Sequence, residues 1–438
     1  MRHKRLIIYL LFSLLGISLF SNIHATSLSS VEKRINTVIG QQKKSQLSLL
    51  EKLVNINSST DNIPGVQRVG EILRAQFSQL GFQTRWVEEP AEMHRAATLI
   101  AERQGHSGKR ILLIGHLDTV FPKEGTFQKF VKQEKIATGP GVIDDKGGDL
   151  VILYALKALE AVHKLDDTTI TVVLTGDEEE SGKPTSISRK PLFDAAKKSD
   201  IALDFECAIT ADTATIARRG ITNWLLNTQG NEAHSSEIYR KSVGFGAIFE
   251  VARILNTIRT KLSGEKYLTI NPGITIGGTT IDYDQNKAQG FSFGQANVIA
   301  KTSITKGDLR YLTAQQKLNA EKKMVAIVQQ HLPGTNASIT FQDGIPAMPP
   351  QPGNLALLKE YSHVSEDLGY GMIKALDPGI RGAGDISYIA STVSANLAGL
   401  GPLGSGAHST QETLELDSLT MQTQRAAILI YRLTHLAK

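Results

Sequence analysis

Acids and histidines stand directly after apolar runs in this chain. ILLIG is followed by His116 and Asp118, and TITVVLTG is followed by the acids of residues 177–180. IALDF is followed by Glu206. If these runs are strands of one open α/β sheet, their carboxyl ends meet at the edge where such sheets form their sites. Imidazole and carboxylate groups are ligands that zinc accepts, so the pattern indicates a metal site.

Two further loops carry the same residue types. The glycine-rich stretch GLGPLGSGAHSTQE contains His408, and GPGVIDDKGG contains Asp144 and Asp145. If Asp144, Glu179 and Glu206 are all ligands, their negative charges and one bridging hydroxide balance the charge of two zinc ions. Without a cation, two carboxylates ~4 Å apart would repel by roughly 4 kcal/mol at an effective dielectric constant of about 20. We therefore expect two metals.

Each of these elements also has a simpler interpretation. Acids after a strand can form the first turn of a helix, where the helix dipole favours them. The aspartates of GPGVIDDKGG can belong to a turn that caps a helix, and His116 can be purely structural. The shared position of all these residues at strand ends of one domain favours the metal site.

Length, composition and charge limit the remaining possibilities. A chain of 438 residues with 41% hydrophobic content is longer than one core usually serves, so we expect two domains. The single cysteine, Cys207, excludes an internal disulfide. The net charge of +5 falls to +2 without the N-terminal 25 residues, and this indicates neither nucleic acid nor a membrane surface as a partner.

The first 25 residues have the layout of a secretory signal. MRHKR is basic, residues 6–20 are apolar, and Ala25 is a small residue at a suitable cleavage position. The alternative is a membrane anchor, but this apolar stretch falls short of the ~20 residues that cross a bilayer. We therefore expect export to the periplasm or medium, with no stable membrane association after cleavage.

The chain after residue 25 alternates apolar runs with helical patterns. This alternation predicts an α/β domain with a mostly parallel sheet and helices on both faces. Residues 110–114, 169–174 and 201–205 have the pattern of buried strands. Apolar residues between Ile152 and Leu159 recur at the spacing of one helix face, which predicts a crossover helix between the first two strands.

The stretch from residue 217 to residue 345 has a different, α+β pattern. A helix-like segment, GFGAIFEVARILNTIRTKL, precedes short β-rich pieces and a second amphipathic helix around residues 314–330. The chain then returns to the earlier pattern and ends in a helix around residues 416–436. We expect a catalytic domain built from residues 26–216 and 346–438, with residues 217–345 as an inserted domain.

Five motifs carry a resemblance to a known family. GHLDTVFP, GPGVIDDKGG, TGDEE, LDFE and GAHS occur in the order found in the co-catalytic zinc metallopeptidases. That family includes glutamate carboxypeptidase, aminoacylases, acetylornithine deacetylase and succinyl-diaminopimelate desuccinylase. The chain resembles it over nearly its whole length after the signal, and is most similar to the glutamate carboxypeptidase branch. The resemblance implies two Zn²⁺ ions per subunit, with other divalent metals as an alternative.

The resemblance also assigns the metal ligands. One zinc would be bound by His116 and Glu206, and the other by His408 and Glu179. Asp144 would bridge the two ions.

Three further expectations concern the catalytic groups. Asp118 would accept the other ring hydrogen of His116 and fix its tautomer. Glu178 would be the general base that acts on a water shared by the two metals. The peptide bond between Asp144 and Asp145 would be cis, as is typical of the family.

The resemblance makes the inserted domain a lid and dimerisation domain. His234 of NEAHSSE would stabilise the tetrahedral oxyanion, usually in the active site of the partner subunit of a homodimer. Asn297 and Arg310 would bind a substrate carboxylate. Without the resemblance, His234 is an exposed loop histidine and Arg310 a solvated charge.

The sequence departs from the family pattern at three places. Ala300 follows NVI where proline is usual, and the glycine-rich turn before Asp385 reads RGAGD where successive glycines are common. The extra acid in DEEES permits a shift by one residue that makes Glu179 the base and Glu180 the ligand. The match to TGDEE favours Glu178 as the base.

The main functional hypothesis is an exported dizinc carboxypeptidase or dipeptidase that cleaves an amide bond next to a free carboxylate. Its partner would be a peptide or an N-acyl amino acid. A deacylase of N-acyl amino acids is the first alternative, and a catalytically silent binding protein on the same fold is the second. Intact Glu178 and a complete ligand set argue against the silent protein.

Overall fold

A computed structural model describes residues 28–285 and 287–435 of the chain, so the expected signal segment lies outside the described residues. The helices are α1 (Ser30–Val54), α2 (Ile63–Gln79), α3 (Lys146–Ala161), α4 (Thr185–Ser188), α5 (Lys190–Ala196), α6 (Gly246–Leu262), α7 (Ala314–Val328), α8 (Pro352–Asp367), α9 (Asp385–Ile389) and α10 (Leu416–His435). In this part of the chain, no helix has both the length and the apolar character needed to cross a bilayer.

A six-stranded sheet forms the centre of the larger domain. Its strands, numbered in chain order, lie side by side as β1 (Gln83–Val87), β2 (Thr98–Arg103), β6 (Thr168–Thr175), β3 (Ser107–His116), β7 (Ile201–Asp204) and β16 (Ala395–Leu397). The β6–β3, β3–β7 and β7–β16 pairs are parallel, whereas β1–β2 and β2–β6 are antiparallel. The predicted α/β class is confirmed, with a mixed sheet that is parallel around the site.

Both faces of this sheet are buried, which explains the continuous apolar runs of its central strands. Along β3, Ile111 and Leu113 belong to the core cluster that contains residues of α1, α2, α3, α8 and α10. Leu112 and Ile114 point to the opposite face and pack with residues of α5 and α9. The helices therefore cover both faces, and α3 connects the neighbouring parallel strands β3 and β6, as the sequence predicts.

A second, four-stranded sheet lies within the predicted insert. Its order is β10 (Thr269–Gly278), β13 (Thr302–Tyr311), β9 (Gly220–Gly230) and β14 (Thr335–Asp343), and all neighbours are antiparallel. Buried and half-buried residues alternate along β9, because α6 and α7 pack on one face only. Trp224 and Leu226 of β9 meet Ile254 of α6 and Met324 of α7 in a separate core.

Three smaller sheets complete the structure. They are formed by β11 (Thr280–Asp284) with β12 (Gln289–Phe293), by β8 (Thr213–Ala214) with β15 (Lys374–Ala375), and by β17 (Gly404–Ser405), β18 (Thr413–Glu415), β5 (Ile136–Thr138) and β4 (Val131–Lys132). The last of these joins the chain before Asp144 to the chain around His408, which come from distant parts of the sequence.

Candidate active site

Three neighbouring parallel strands deliver the predicted acids and one histidine to the same edge. His116 is the last residue of β3, and Glu178 and Glu179 follow closely after β6 ends at Thr175. Glu206 comes just after the end of β7. Because β6, β3 and β7 are parallel neighbours, their carboxyl ends lie together at one rim of the sheet.

Asp144 lies between two imidazoles. Its Oδ1 is 3.0 Å from Nε2 of His116, and its Oδ2 is 3.1 Å from Nε2 of His408. The same His408 nitrogen is 3.1 Å from Oε2 of Glu179. The structure thus brings together four of the five predicted ligands, and one ligand atom from each of His116, Asp144 and Glu179 lies within 4.8 Å of the others.

These residues fit a divalent cation. Both Asp144 and Glu179 are largely buried, and Oε1 of Glu179 is a buried oxygen with no hydrogen-bond partner among the described residues. Buried acceptors without a partner are costly, and a cation removes that cost. Imidazole and carboxylate ligands at these separations suit zinc and related metals.

The two histidines carry protons that a metal would displace. Hydrogen bonds to the carboxylates of Asp144 and Glu179 raise the pKa of His408 to about 11. Burial disfavours a charge on His116, but its hydrogen bonds to Asp118 and Asp144 raise its pKa well above the ordinary value. In the metal-free protein at neutral pH, protons on these rings therefore balance part of the carboxylate charge.

Asp118 ties the His116 strand to the loop that carries the acids. Its Oδ1 lies 3.3 Å from Nδ1 of His116 and accepts the backbone N–H of Glu178 at 3.0 Å. Its Oδ2 accepts the backbone N–H of Glu179 at 3.1 Å and the hydroxyl of Thr60 at 2.6 Å. One fully buried carboxylate thus sets the positions of a histidine and two glutamates at once.

Arg189, which the sequence analysis did not single out, binds the loop that carries Glu178 and Glu179. Its guanidinium donates to Oδ1 of Asp177 at 2.6 Å, to the Asp177 carbonyl at 2.9 Å and to Ser181 at 2.8 Å. Its Nε donates to Asp385 at 2.6 Å, at the start of α9. The residues on either side of Glu178 and Glu179 are therefore fixed, and a lone arginine in the sequence gives no signal of this role.

Glu412 fixes the loop that carries Asp144. Its carboxylate accepts the backbone N–H of Ile143 at 2.9 Å and those of Gly141 and Asp144 at 3.3 Å. Burial raises the pKa of Glu412 to about 8. The peptide bond between Asp144 and Asp145 is cis, as the resemblance implies. Glu412 lies in the same glycine-rich stretch as His408. This proximity to a predicted ligand was the only hint of its role in the sequence.

Glu178 faces a cleft between the larger domain and the inserted domain. Burial and the nearby charge of Glu206 raise the pKa of Glu178 well above its ordinary value. A cavity of about 570 Å³ is lined by Glu178 and Tyr388 of the larger domain and by Ile221 and Ile345 at the ends of the insert. The nearby Glu180 is exposed, pairs with Arg95 and lies outside the group formed by His116, Asp144 and Glu179.

Glu206 lies outside the closest group and is held by two arginines. Arg381 Nη2 is 2.6 Å from one of its carboxylate oxygens, and Arg218 Nη2 is 3.4 Å from the other. The opposed effects of burial, which raises the pKa of Glu206, and of these guanidinium charges, which lower it, leave the pKa below its ordinary value. Its role as a ligand stays a prediction.

The three predicted lid residues lie away from the cluster. His234 is exposed, and its ring nitrogen Nδ1 lies 2.8 Å from the Ser236 hydroxyl. The exposed Asn297 accepts the backbone N–H of Ser235 at 2.8 Å, which places it beside His234. Arg310 pairs with Asp308, and a Cβ at Gly382 would lie 3.9 Å from its Nη1. Arg310 therefore lies near the 381–384 loop of the larger domain, whereas the described contacts of His234 and Asn297 are within the predicted insert.

A mixed α/β sheet with imidazoles and acids at its rim, beside a cleft and a half-buried glutamate, fits a metal-dependent hydrolase. The sequence matches the family described as Peptidase family M20/M25/M40 over residues 112–432, and the chain belongs to this family. The resemblance inferred from the motifs is confirmed, and the chain is an M20 metallohydrolase.

Known relatives agree with this family. Carboxypeptidase G2 of a Pseudomonas species is 28% identical over 429 residues, covering 93% of this chain and 98% of that protein. A succinyl-diaminopimelate desuccinylase of Erythrobacter litoralis is 26% identical over 285 residues, covering 61% of this chain and 70% of that protein. The aminopeptidase PepT structure from Bacillus cereus has a TM-score of 0.69 at 17% identity, covering 89% of this chain and 98% of its own.

A solved metallo-carboxypeptidase of the same family, from Sulfolobus solfataricus, has a TM-score of 0.62 at 13% identity. It covers 88% of this chain and 98% of its own. At such low identity, these structures show the shared fold.

Metal binding should release protons, because the ligand form of imidazole is neutral. The pKa of His408, about 11, lies above the whole range from pH 6 to pH 8, so its proton must leave on binding. We expect Zn²⁺ affinity to rise with pH across this range, and His408→Ala to release about one proton fewer than the parent. Calorimetry in buffers of different ionisation enthalpy measures this count. His106→Ala, at an exposed histidine, is the control; a pH-independent affinity would contradict the assignment.

Proposed function

We propose that this protein is a zinc-dependent carboxypeptidase or dipeptidase that cleaves an amide bond next to a free carboxylate. The observation that carries the proposal is the Asp144 carboxylate, whose two oxygens face two different imidazoles. That is the arrangement a carboxylate needs to bridge two cations. The carboxypeptidase G2 relative, which spans nearly the whole chain, supports the peptidase reaction.

Two Zn²⁺ ions are the proposed cofactor. His408 and Glu179 would hold one ion, His116 and Glu206 the other, and Asp144 both. When bound, such ions polarise the scissile carbonyl and lower the pKa of the attacking water. Asp118 keeps the His116 ring in place and leaves its Nε2 directed toward Asp144.

Glu178 is the proposed general base. It removes a proton from the attacking water and later donates it to the leaving amine, which requires a pKa near the working pH. Burial raises the pKa of Glu178 in the required direction. The backbone contact with Asp118 and the Arg189 contacts around Asp177 hold its loop still. Glu179, one residue on, is turned toward His408, so the two neighbours have separate roles.

The cleft suits a small substrate with a carboxylate. A cavity of about 570 Å³ falls in the range of small-ligand sites, and Arg95 and Lys183 lie on its wall. Arg310 borders the nearby 381–384 loop, where its guanidinium can form a forked pair with a carboxylate. His234 and Asn297 would complete the site from the lid of the partner subunit.

Glu178→Gln should lower kcat by at least about 100-fold, because the amide cannot take up the proton of the attacking water. The variant should keep its Zn²⁺ content, measured by elemental mass spectrometry. Both proteins are assayed, zinc-loaded, on a panel of dipeptides and N-acyl amino acids with different C-terminal residues, including glutamate.

Glu180→Gln is the matched control, since it removes a carboxylate two residues away that is exposed and pairs with Arg95. It should retain parental activity. Loss of activity in Glu180→Gln with an unchanged Glu178→Gln would show that the roles are shifted along the loop. No hydrolysis of any panel member by the zinc-loaded parent would overturn the proposal, and preference for acyl over peptide substrates would favour the deacylase.

A homodimer through the lid is the proposed assembly. β10 is an edge strand of the lid sheet, and Phe291 and Phe293 of the adjoining β11–β12 hairpin are 72% and 62% exposed. Ile248 and Phe249 of α6 are also exposed. An unpaired edge with exposed apolar side chains beside it is suited to pairing with a second copy.

Serine at both Phe291 and Phe293 should therefore shift the protein from dimer toward monomer in sedimentation velocity, because it removes apolar area from the interface. Leu355→Ser, at an exposed leucine of α8, should leave the dimer intact. A monomeric parent protein would refute the assembly.

Export is proposed from the N-terminal 25 residues. The basic start and short apolar stretch support a cleaved signal over an anchor. Intact-mass analysis of protein recovered outside the cytoplasm should give a chain that begins just after Ala25. A chain that keeps its first residues and stays with the membrane would show an anchor instead.

A further inference from the structure

Glu206 has both carboxylate oxygens occupied by buried guanidinium groups. Arg381 donates to Oε2 at 2.6 Å, and Arg218 approaches Oε1 at 3.4 Å. The side chains of Arg381 and Arg218 are 7% and 3% exposed, so these contacts are shielded from water and salt. A cation that binds Glu206 must therefore compete with two positive charges.

The two arginines that contact Glu206 differ in the other partners that their guanidinium groups have. Arg218 also pairs with Asp204 at 3.2 Å, and it donates to the backbone carbonyls of Gly382 at 2.7 Å and Ala383 at 3.1 Å. Among the described residues, Arg381 has Glu206 as its ion-pair partner and otherwise donates to the Cys207 carbonyl. Arg381 is therefore the guanidinium that a second cation would displace.

Glu179, on the other side of Asp144, differs from Glu206 in the partners of its carboxylate oxygens. Its Oε1 is buried with no hydrogen-bond partner among the described residues, and its Oε2 faces Nε2 of His408. A cation placed between Glu179 and Asp144 meets a carboxylate oxygen that has no partner, whereas one placed at Glu206 must displace a permanent charge. The two halves of the site thus differ in what metal binding must remove.

We propose that Arg381 makes the two metal subsites unequal by competing with the second divalent cation for Glu206. The first ion binds at the Asp144–Glu179 side, and the second binds only when the Arg381 guanidinium leaves the carboxylate. Arg381 is a positioning residue in this account, because it acts through Glu206. The inference rests on the proposed two-metal function.

The test measures Zn²⁺ binding to the metal-free protein by calorimetry and by equilibrium dialysis. The parent should bind one ion tightly and a second at least about tenfold more weakly. Arg381→Gln should strengthen the second step by at least about tenfold and leave the first unchanged, while Arg381→Lys, which keeps the charge, should resemble the parent. Arg110→Gln removes an equal charge at the exposed pair with Asp200 and should change neither step.

Co²⁺ loading of the parent provides a readout that needs no variant. With sequential filling, one equivalent should give only the spectrum of isolated ions in electron paramagnetic resonance, and coupled pairs should appear on further addition. Coupled pairs at one equivalent, or an unchanged second step in folded Arg381→Gln, would overturn the inference and leave the two-metal function standing. A parent that binds no metal would overturn both.

Discussion

Acidic side chains at the rim of the six-stranded sheet repel one another, and the surrounding structure is organised around that repulsion. Asp144 and Glu179 share one imidazole, and Glu178 stands next to them with its pKa raised by burial. Two such carboxylates would repel by roughly 4 kcal/mol at ~4 Å and an effective dielectric constant of about 20. A fold keeps this arrangement only if something positive offsets it, and here protons and arginines have that role, which the proposed metal ions would share.

The acids of this site are chemically similar, but they have different positive partners and different proposed roles. Asp177 and Asp385 meet the fully buried Arg189 and become part of the scaffold. Glu179 meets the imidazole of His408, which would lose its proton if a metal took its place. Glu178 has no ion pair among the described residues, and burial raises its pKa. The role proposed for each acid in this site therefore depends on its nearest positive partner more than on its residue type.

The sequence predicted the strands and the site residues at their ends correctly, because there the hydrophobic pattern and the residue chemistry agree. The apolar runs of β3, β6 and β7 end in the acids and the histidine that the structure gathers, because parallel neighbours end at one edge. The residues that hold this group were not predictable in the same way. Arg189 and Glu412 act through contacts with residues far along the chain, such as Asp385 and Gly141, and no spacing within a motif encodes such contacts. The antiparallel edge of the sheet was also missed, since a buried apolar strand reads alike in either direction.

A cation between the carboxylates at the sheet rim would explain why they lie so close together. Anomalous diffraction from a zinc-loaded crystal, recorded on both sides of the zinc absorption edge, would locate it. We expect a peak in contact with Asp144 and Glu179, and a second peak of lower occupancy toward Glu206 at limiting zinc. Peaks confined to other parts of the surface, with the Asp144 carboxylate still bonded only to imidazoles, would contradict it.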